Sequence, residues 1–199
     1  MAEWRPADVV LLTPYGDESR KSALVKEVQR RRGFHRLHAD WTHAAIYVGD
    51  GAVVHVTYRD PADGNKVVDK QVADFVKLTR IRVRTNDDLN RQDRLAIAAR
   101  AMELVNGSFR YSRAKAFALA LGGQKGDRFR FSEPLFQGIV CSDIVAIAYE
   151  GVLRRPVFSS ADSRSVLPAT LSVSPFLRDI NVSWCAIPTV TSQHAREVR

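Results

Sequence analysis

The sequence predicts a single α+β domain in which antiparallel strands pack against helices. Three observations carry that expectation. Residues 42–57 (THAAIYV, Gly49-Asp50-Gly51, AVVHVT) alternate and punctuate as a β-hairpin does. Residues 91–105 and 139–153 have the length and apolar spacing of buried-face helices. A chain of 199 residues, 45% of them hydrophobic, can bury one core but is short for two domains. Residues 1–188 are therefore read as one catalytic-sized domain and 189–199 as a flexible tail.

The elements follow in chain order. DVVLL at 8–12 is an apolar run that fits a buried strand, ended by Pro14-Tyr15-Gly16. Residues 19–32 form a basic amphipathic helix stopped by Gly33, and the polar connection to Trp41 reads as loop. After the hairpin, 58–65 is loop, 66–68 a short strand and 72–75 a helical turn. LTRIRVR at 78–84 alternates apolar and basic residues as a half-exposed strand would. Asn90 is placed to cap the helix at 91–105, with Gly107 just past its end. A second helix is expected at 114–121, a loop at 122–130, the apolar helix at 139–153, irregular chain over 156–168 and a last strand at 180–187.

Composition narrows the function classes. A formal charge of +8 favours anionic partners, among them headgroups, acidic polymers, phosphates and nucleic acid, without choosing one. No recognised nucleic-acid motif accompanies the Arg30-Arg31-Arg32 run or Arg80, Arg82 and Arg84. Pro6, Asp8, Pro14 and Asp17 break any signal-like apolar run, and no stretch of about 18 apolar residues exists to span a membrane. The expectation is a cytoplasmic protein, or one exported without a classical signal peptide. Cys141 and Cys185 form neither a disulfide scaffold nor a zinc spacing. Cys185, within VSWCA, reads as a packed strand residue, and His194 as a solvated tail residue.

Cysteine chemistry requires a thiolate, and a free thiol with a pKa of about 8.5 is mostly protonated at neutral pH. Cys141 falls in the first turn of the 139–153 helix, where the macrodipole favours negative charge and its own N–H is placed to donate to an oxyanion. Asp143 shares that helix terminus and mildly opposes a thiolate. A base must reach the sulfur and a third group must orient the base. If Gly49-Asp50-Gly51 is a three-residue loop, Val48 faces Ala52, Ala45 faces His55, and His43 and His55 share a face one pair apart. If Asp50-Gly51 is a two-residue turn, the parity flips and the two rings point to opposite faces. Taken without context, a Cys in an apolar helix is ordinarily a small buried hydrophobe, and two hairpin histidines are ordinarily incidental.

THAAIYVGDGAVVHVT resembles the His-bearing motif of the permuted branch of the NlpC-like superfamily, which includes lecithin:retinol acyltransferase-like proteins and YaeF/YiiX-like permuted papain enzymes. Residues 8–12 are similar to their opening strand, NGSFRY at 106–111 to their Gly-and-Tyr turn, GIVCSDIV at 138–145 to their nucleophile helix, and LPATLSVSP at 167–175 to the segment that follows. The resemblance implies a circularly permuted papain-like fold, an antiparallel sheet or barrel packed against helices, with the nucleophile at a helix N-terminus. Carried across, it makes Cys141 the nucleophile, His43 the general base and His55 the orienting group. His55 matches the acyltransferase-like branch, whereas Val140-Cys141-Ser142-Asp143 departs from that branch's Asn-Cys-Glu-like context and is closer to YaeF/YiiX. Tyr47 and Tyr111 are expected to line the cleft, and Gln137 is a weaker oxyanion-hole candidate. No cofactor is implied, and no metal site is expected; His35 and His38 beside the hairpin histidines are a less favoured alternative.

The expected chemistry is attack by Cys141 on an amide or ester carbonyl, an acyl-enzyme thioester, and release to water, with a cell-wall peptide or small amide as substrate. The same intermediate serves a lipid acyltransferase, a phospholipase or an isopeptidase. A basic helix at 19–32 suits an anionic membrane surface, though such a helix is more often a solvated face. A non-catalytic polyanion-binding module is the competing class. Steep salt dependence with indifference to thiol alkylation would mark it.

Overall fold

A computed structural model describes residues 4–15, 20–56, 67–76, 79–107, 140–158 and 166–180. Its strands are β1 (Val9–Pro14), β2 (His43–Gly49), β3 (Ala52–Val56), β4 (Val67–Gln71), β5 (Thr79–Thr85) and β6 (Arg178–Asp179). They form one antiparallel sheet in the order β4-β3-β2-β1-β5-β6. The helices are α1 (Arg20–Arg31), α2 (Arg36–Ala39), α3 (Ala73–Val76), α4 (Arg91–Asn106), α5 (Cys141–Leu153) and α6 (Pro168–Val173). The fold is thus α+β, as expected. The expected helix at 114–121 and the strand over 181–187 lie outside the described residues.

Alternation along the strands divides the sheet's two faces. Val9, Leu11, Ala44, Ile46, Val54 and Val56 join Ile97, Ala101, Leu104, Ile144, Val145, Ala148 and Tyr149 in the main core, so α4 and α5 lie on that side. Val10, Leu12, Ala45 and Val53 face the other way, against Trp4, Tyr47, Phe75 and Ile81. Among the described residues, no helix is long and apolar enough to cross a membrane.

Helix ends form where the sequence supplies caps. Asn90 accepts from the Asp93 N–H at 2.9 Å while the Asp93 carboxylate accepts from the Asn90 N–H at 3.4 Å, a reciprocal box that starts α4. At α5 the Asp143 carboxylate accepts the Val140 N–H at 2.8 Å, fixing the residue that precedes Cys141. Two short helices lie where loop or irregular chain reads from sequence. In the connection after α1, the His35 ring accepts from the Leu37 N–H at 3.4 Å and opens α2. Pro168 opens α6, and the buried Arg84 guanidinium closes it by donating to Leu171 O at 2.8 Å, Ser172 O at 2.8 Å and Ser174 O at 3.2 Å.

One buried ion pair ties α4 to the start of β1. Arg94 reaches Asp8 Oδ1 at 3.1 Å, Pro6 O at 3.3 Å and Thr85 Oγ1 at 3.2 Å, and also Asn86 O. Burial pushes the Asp8 carboxyl up, while the Arg5 N–H at 2.7 Å, Thr85 and Arg94 pull it down; burial prevails. Arg94→Met strands that carboxyl without its cation, and loss of one partner of a buried pair costs about 3–5 kcal/mol. Denaturant titration of Arg94→Met should show a loss of that size, and of markedly less when Asp8→Leu accompanies it.

Candidate active site

The geometry of the site begins with the turn. Asp50 and Gly51 carry φ of 50° and 77°, the two positive values a two-residue type I′ turn requires, and Gly49 pairs with Ala52 across it. By itself that turn would send the two histidines to opposite faces. Further along, however, Tyr47 pairs with Val53 and Ile46 with Val54, so Val48 is an extra residue on β2. The bulge at Val48 and Gly49, whose φ is 114°, restores the parity that the two-residue turn removes. Continuing this register sets Ala45 opposite His55, as expected, but Val48 does not face Ala52.

His43 Nε2 and His55 Nδ1 accordingly meet at 3.1 Å, with the rings edge to face at 5.2 Å between centroids. Phe75 closes over the outer side of His55, centroid to centroid 5.1 Å. His55 is 5% exposed, whereas His43 keeps a partly open surface.

Cys141 is the first residue of α5 and His43 the first of β2. The Cys141 sulfur takes a hydrogen bond from the backbone of Ala44, the residue next to His43. Burial pushes the thiol up to about 11 against the Ala44, Ser142 and Cys141 backbone amides, which favour the thiolate; Asp143 adds to the upward push. Burial, and then the neighbouring His55, hold His43 down to about 3. At neutral pH the Cys141 thiol and the His43 imidazole are therefore both in their neutral forms.

Ser142, wholly buried, donates from Oγ to Val166 O at 2.6 Å and so ties the start of α5 to the lead-in of α6. A serine after a cysteine carries no sequence signal for that contact. Tyr47 lies on the His43 face, four residues and roughly 13 Å along the strand. Its hydroxyl accepts the Gly51 N–H at 3.1 Å and its ring packs edge-on against Trp4, so the structure does not bring it to the thiol. Tyr111 and Gln137 lie outside the described residues. His38 meets Ser172 Oγ at 2.9 Å, away from the hairpin pair. Among the described residues, no three His, Cys, Asp or Glu side chains converge as a metal site would.

A lecithin retinol acyltransferase family model matches residues 26–115, a span that contains His43 and His55 and ends before Cys141. Among solved structures, the chain is similar to the metalloprotein YiiX from Escherichia coli O157:H7, with a TM-score of 0.56 and 14% identity over 91% of this chain and 99% of that one. The family match and the structural likeness both fit a YiiX- and lecithin:retinol acyltransferase-like branch. No curated protein matches it. At that identity the likeness to YiiX concerns the fold. The two hairpin histidines hydrogen-bond each other directly in this chain.

The two displaced pKa values have opposite pH signatures. The unfolded chain protonates His43 near 6.5 and the folded one near 3, so folded stability falls as pH drops through that window. The slope approaches a factor of about ten in the folding constant per pH unit, and urea titrations at pH 4 and 7 should show His43→Gln losing it. Alkylation of Cys141 by iodoacetamide should rise about tenfold per pH unit from pH 7 to 9 without a plateau, because only the thiolate reacts. A plateau beginning near pH 4, read by mass spectrometry, would instead mark a preformed thiolate–imidazolium pair.

Proposed function

We propose that this chain is a cysteine-dependent acyl hydrolase on a circularly permuted papain-like fold, with Cys141 as nucleophile, His43 as general base and His55 as the residue that orients it. The observation that carries the reading is the 3.1 Å contact between His43 and His55 one residue from the amide that hydrogen-bonds the Cys141 sulfur. The histidine pair and the sulfur are linked through Ala44, whose amide bonds the sulfur and which follows His43, in the chain order His, His, Cys. The order and the family match over 26–115 support the permuted arrangement.

The contact assigns protons. When His43 donates Nε2–H to His55 Nδ1, the His43 Nδ1 lone pair is left to accept the thiol proton. The S–H proton moves to Nδ1 as the sulfur attacks the carbonyl carbon, and the carbonyl oxygen becomes an oxyanion beside the N-terminal amides of α5. Collapse expels the alcohol or amine, which takes the proton from His43 and leaves a thioester on Cys141. Water then attacks the thioester through the same base, giving the acid and the free thiol.

The family match favours a second fate for that thioester, transfer of the acyl group to an amine or lysophospholipid. Both fates share the first half-reaction, so one experiment addresses both. Incubation with a p-nitrophenyl ester should give an acyl mass on Cys141, removed by hydroxylamine and absent from Cys141→Ala. His43→Ala should slow its formation by about 10²–10⁴-fold, and His55→Ala by less. Acyl mass confined to Cys185, or insensitivity to His43→Ala, would defeat the proposal. Accelerated decay with an acylated product on adding a lysophospholipid would assign the transferase fate, and unchanged release of free acid the hydrolase.

A further inference from the structure

We propose that Gln29 is a positioning residue that holds His43 in its working relation to Cys141, an inference that rests on the reading of this pair as base and nucleophile. Gln29 sits on α1, in a helix whose sequence reads as a basic solvated face, yet its side chain is wholly buried. Its amide is fully engaged across three segments. Nε2 donates to Ala39 O at 2.8 Å and to Trp41 O at 2.9 Å, and Oε1 accepts the Ala169 N–H at 2.7 Å.

Two short paths lead from that amide to the two reacting groups. Trp41 precedes His43 by two residues, and Thr42 between them enters the sheet through its N–H to Leu12 O at 3.1 Å. Ala169 lies on α6, three residues after Val166, whose carbonyl holds the Ser142 hydroxyl beside Cys141. The helices so joined, α2 and α6, have four and six residues and are too short to hold their own geometry. Where no ladder of backbone bonds connects α1, α2 and α6, one side-chain amide does. The contact between His38 Nδ1 and Ser172 Oγ at 2.9 Å joins α2 to α6 a second time but reaches neither Trp41 nor Ala169.

A glutamine suits this place because it supplies two donors and an acceptor without charge. An apolar side chain of equal length leaves two carbonyls and an N–H unpaired in the interior. These groups would then seek other partners, and displacement of a base by about 1 Å can cost about 10²-fold in rate.

The test compares wild type, Gln29→Met, Gln29→Glu and Asn90→Ala, the last weakening the α4 cap far from the site. NMR titration of the His43 ring and acylation of Cys141 by the p-nitrophenyl ester are the two readouts. Gln29→Met should unfold cooperatively yet show the His43 ring titrating well above its wild-type position, with maximal acylation about 100-fold slower and half-saturation unchanged. Gln29→Glu, which keeps the acceptor for Ala169 and removes both donors, should behave likewise. Asn90→Ala should lose stability and move neither readout. The proposal falls if His43 titrates as in wild type in both Gln29 variants, if Asn90→Ala shifts it equally, or if both Gln29 variants fail to fold, which would make Gln29 a core residue. Absence of acylation in wild type would defeat the base–nucleophile reading, while the ring titration would still decide whether Gln29 holds His43.

Discussion

The hydrogen bond between His43 and His55 exists because β2 carries one residue more than β3 between their paired positions. Strand side chains alternate with a period of two, so any odd change in the count moves a whole strand's residues to the other face. The Asp50-Gly51 turn makes one such change and the bulge at Val48 makes another. Their cancellation returns Ala44 and Ile46 to the helix-covered core and His43 to the face of His55. Core and site are thus set by one count. A sequence that lost the bulge while keeping the turn would bury the wrong half of β2, so core burial enforces the parity that the histidine pair requires.

Local contacts likewise fix the start of α5 beside β2. Asp143 caps the residue before Cys141, Ser142 anchors the first turn to Val166, and Ala44 offers its amide to the sulfur. None of these three touches is made by a residue assigned chemistry. They locate the sulfur by fixing its helix from the front, the back and the strand beside it.

What was legible in the sequence, and what was not, follows from the range of the forces concerned. The hairpin, the Asn90 cap and the helix opened by Cys141 depend on neighbours within a few residues, and each lies where the local pattern puts it. The resemblance of the hairpin to a His-bearing motif brought the two histidines into view together. The bulge was not legible, since it trades turn geometry against core burial supplied by α4 and α5, far along the chain. α6 reads as irregular because six residues carry too little periodicity, and its closure comes from Arg84, 87 residues before Leu171. Arg84 itself reads as the exposed phase of an alternating strand; the structure buries it because four carbonyls, Leu171 and Ser172 in α6 and Ser174 and Leu177 after it, replace water around its guanidinium. Gln29 hides for the same reason, a polar residue in a basic helix whose partners lie 10 to 140 positions away.

The protonation of the resting pair bears on how the proposed reaction starts. A thiol near 11 and an imidazole near 3 place both groups in their neutral forms across the physiological range. Separating charge between them before any substrate binds would cost roughly 1.4 kcal/mol for each of the pKa units that part them, and nothing in the burial that shifts them repays it. A bound carbonyl changes the balance, because attack places the negative charge on an oxygen facing the helix amides instead of on a buried sulfur. Proton transfer to His43 is then coupled to bond formation, and the imidazolium formed donates to His55 at the 3.1 Å contact already in place. The burial that silences the thiol toward small alkylating agents is, on this reading, what reserves it for a substrate able to accept the charge.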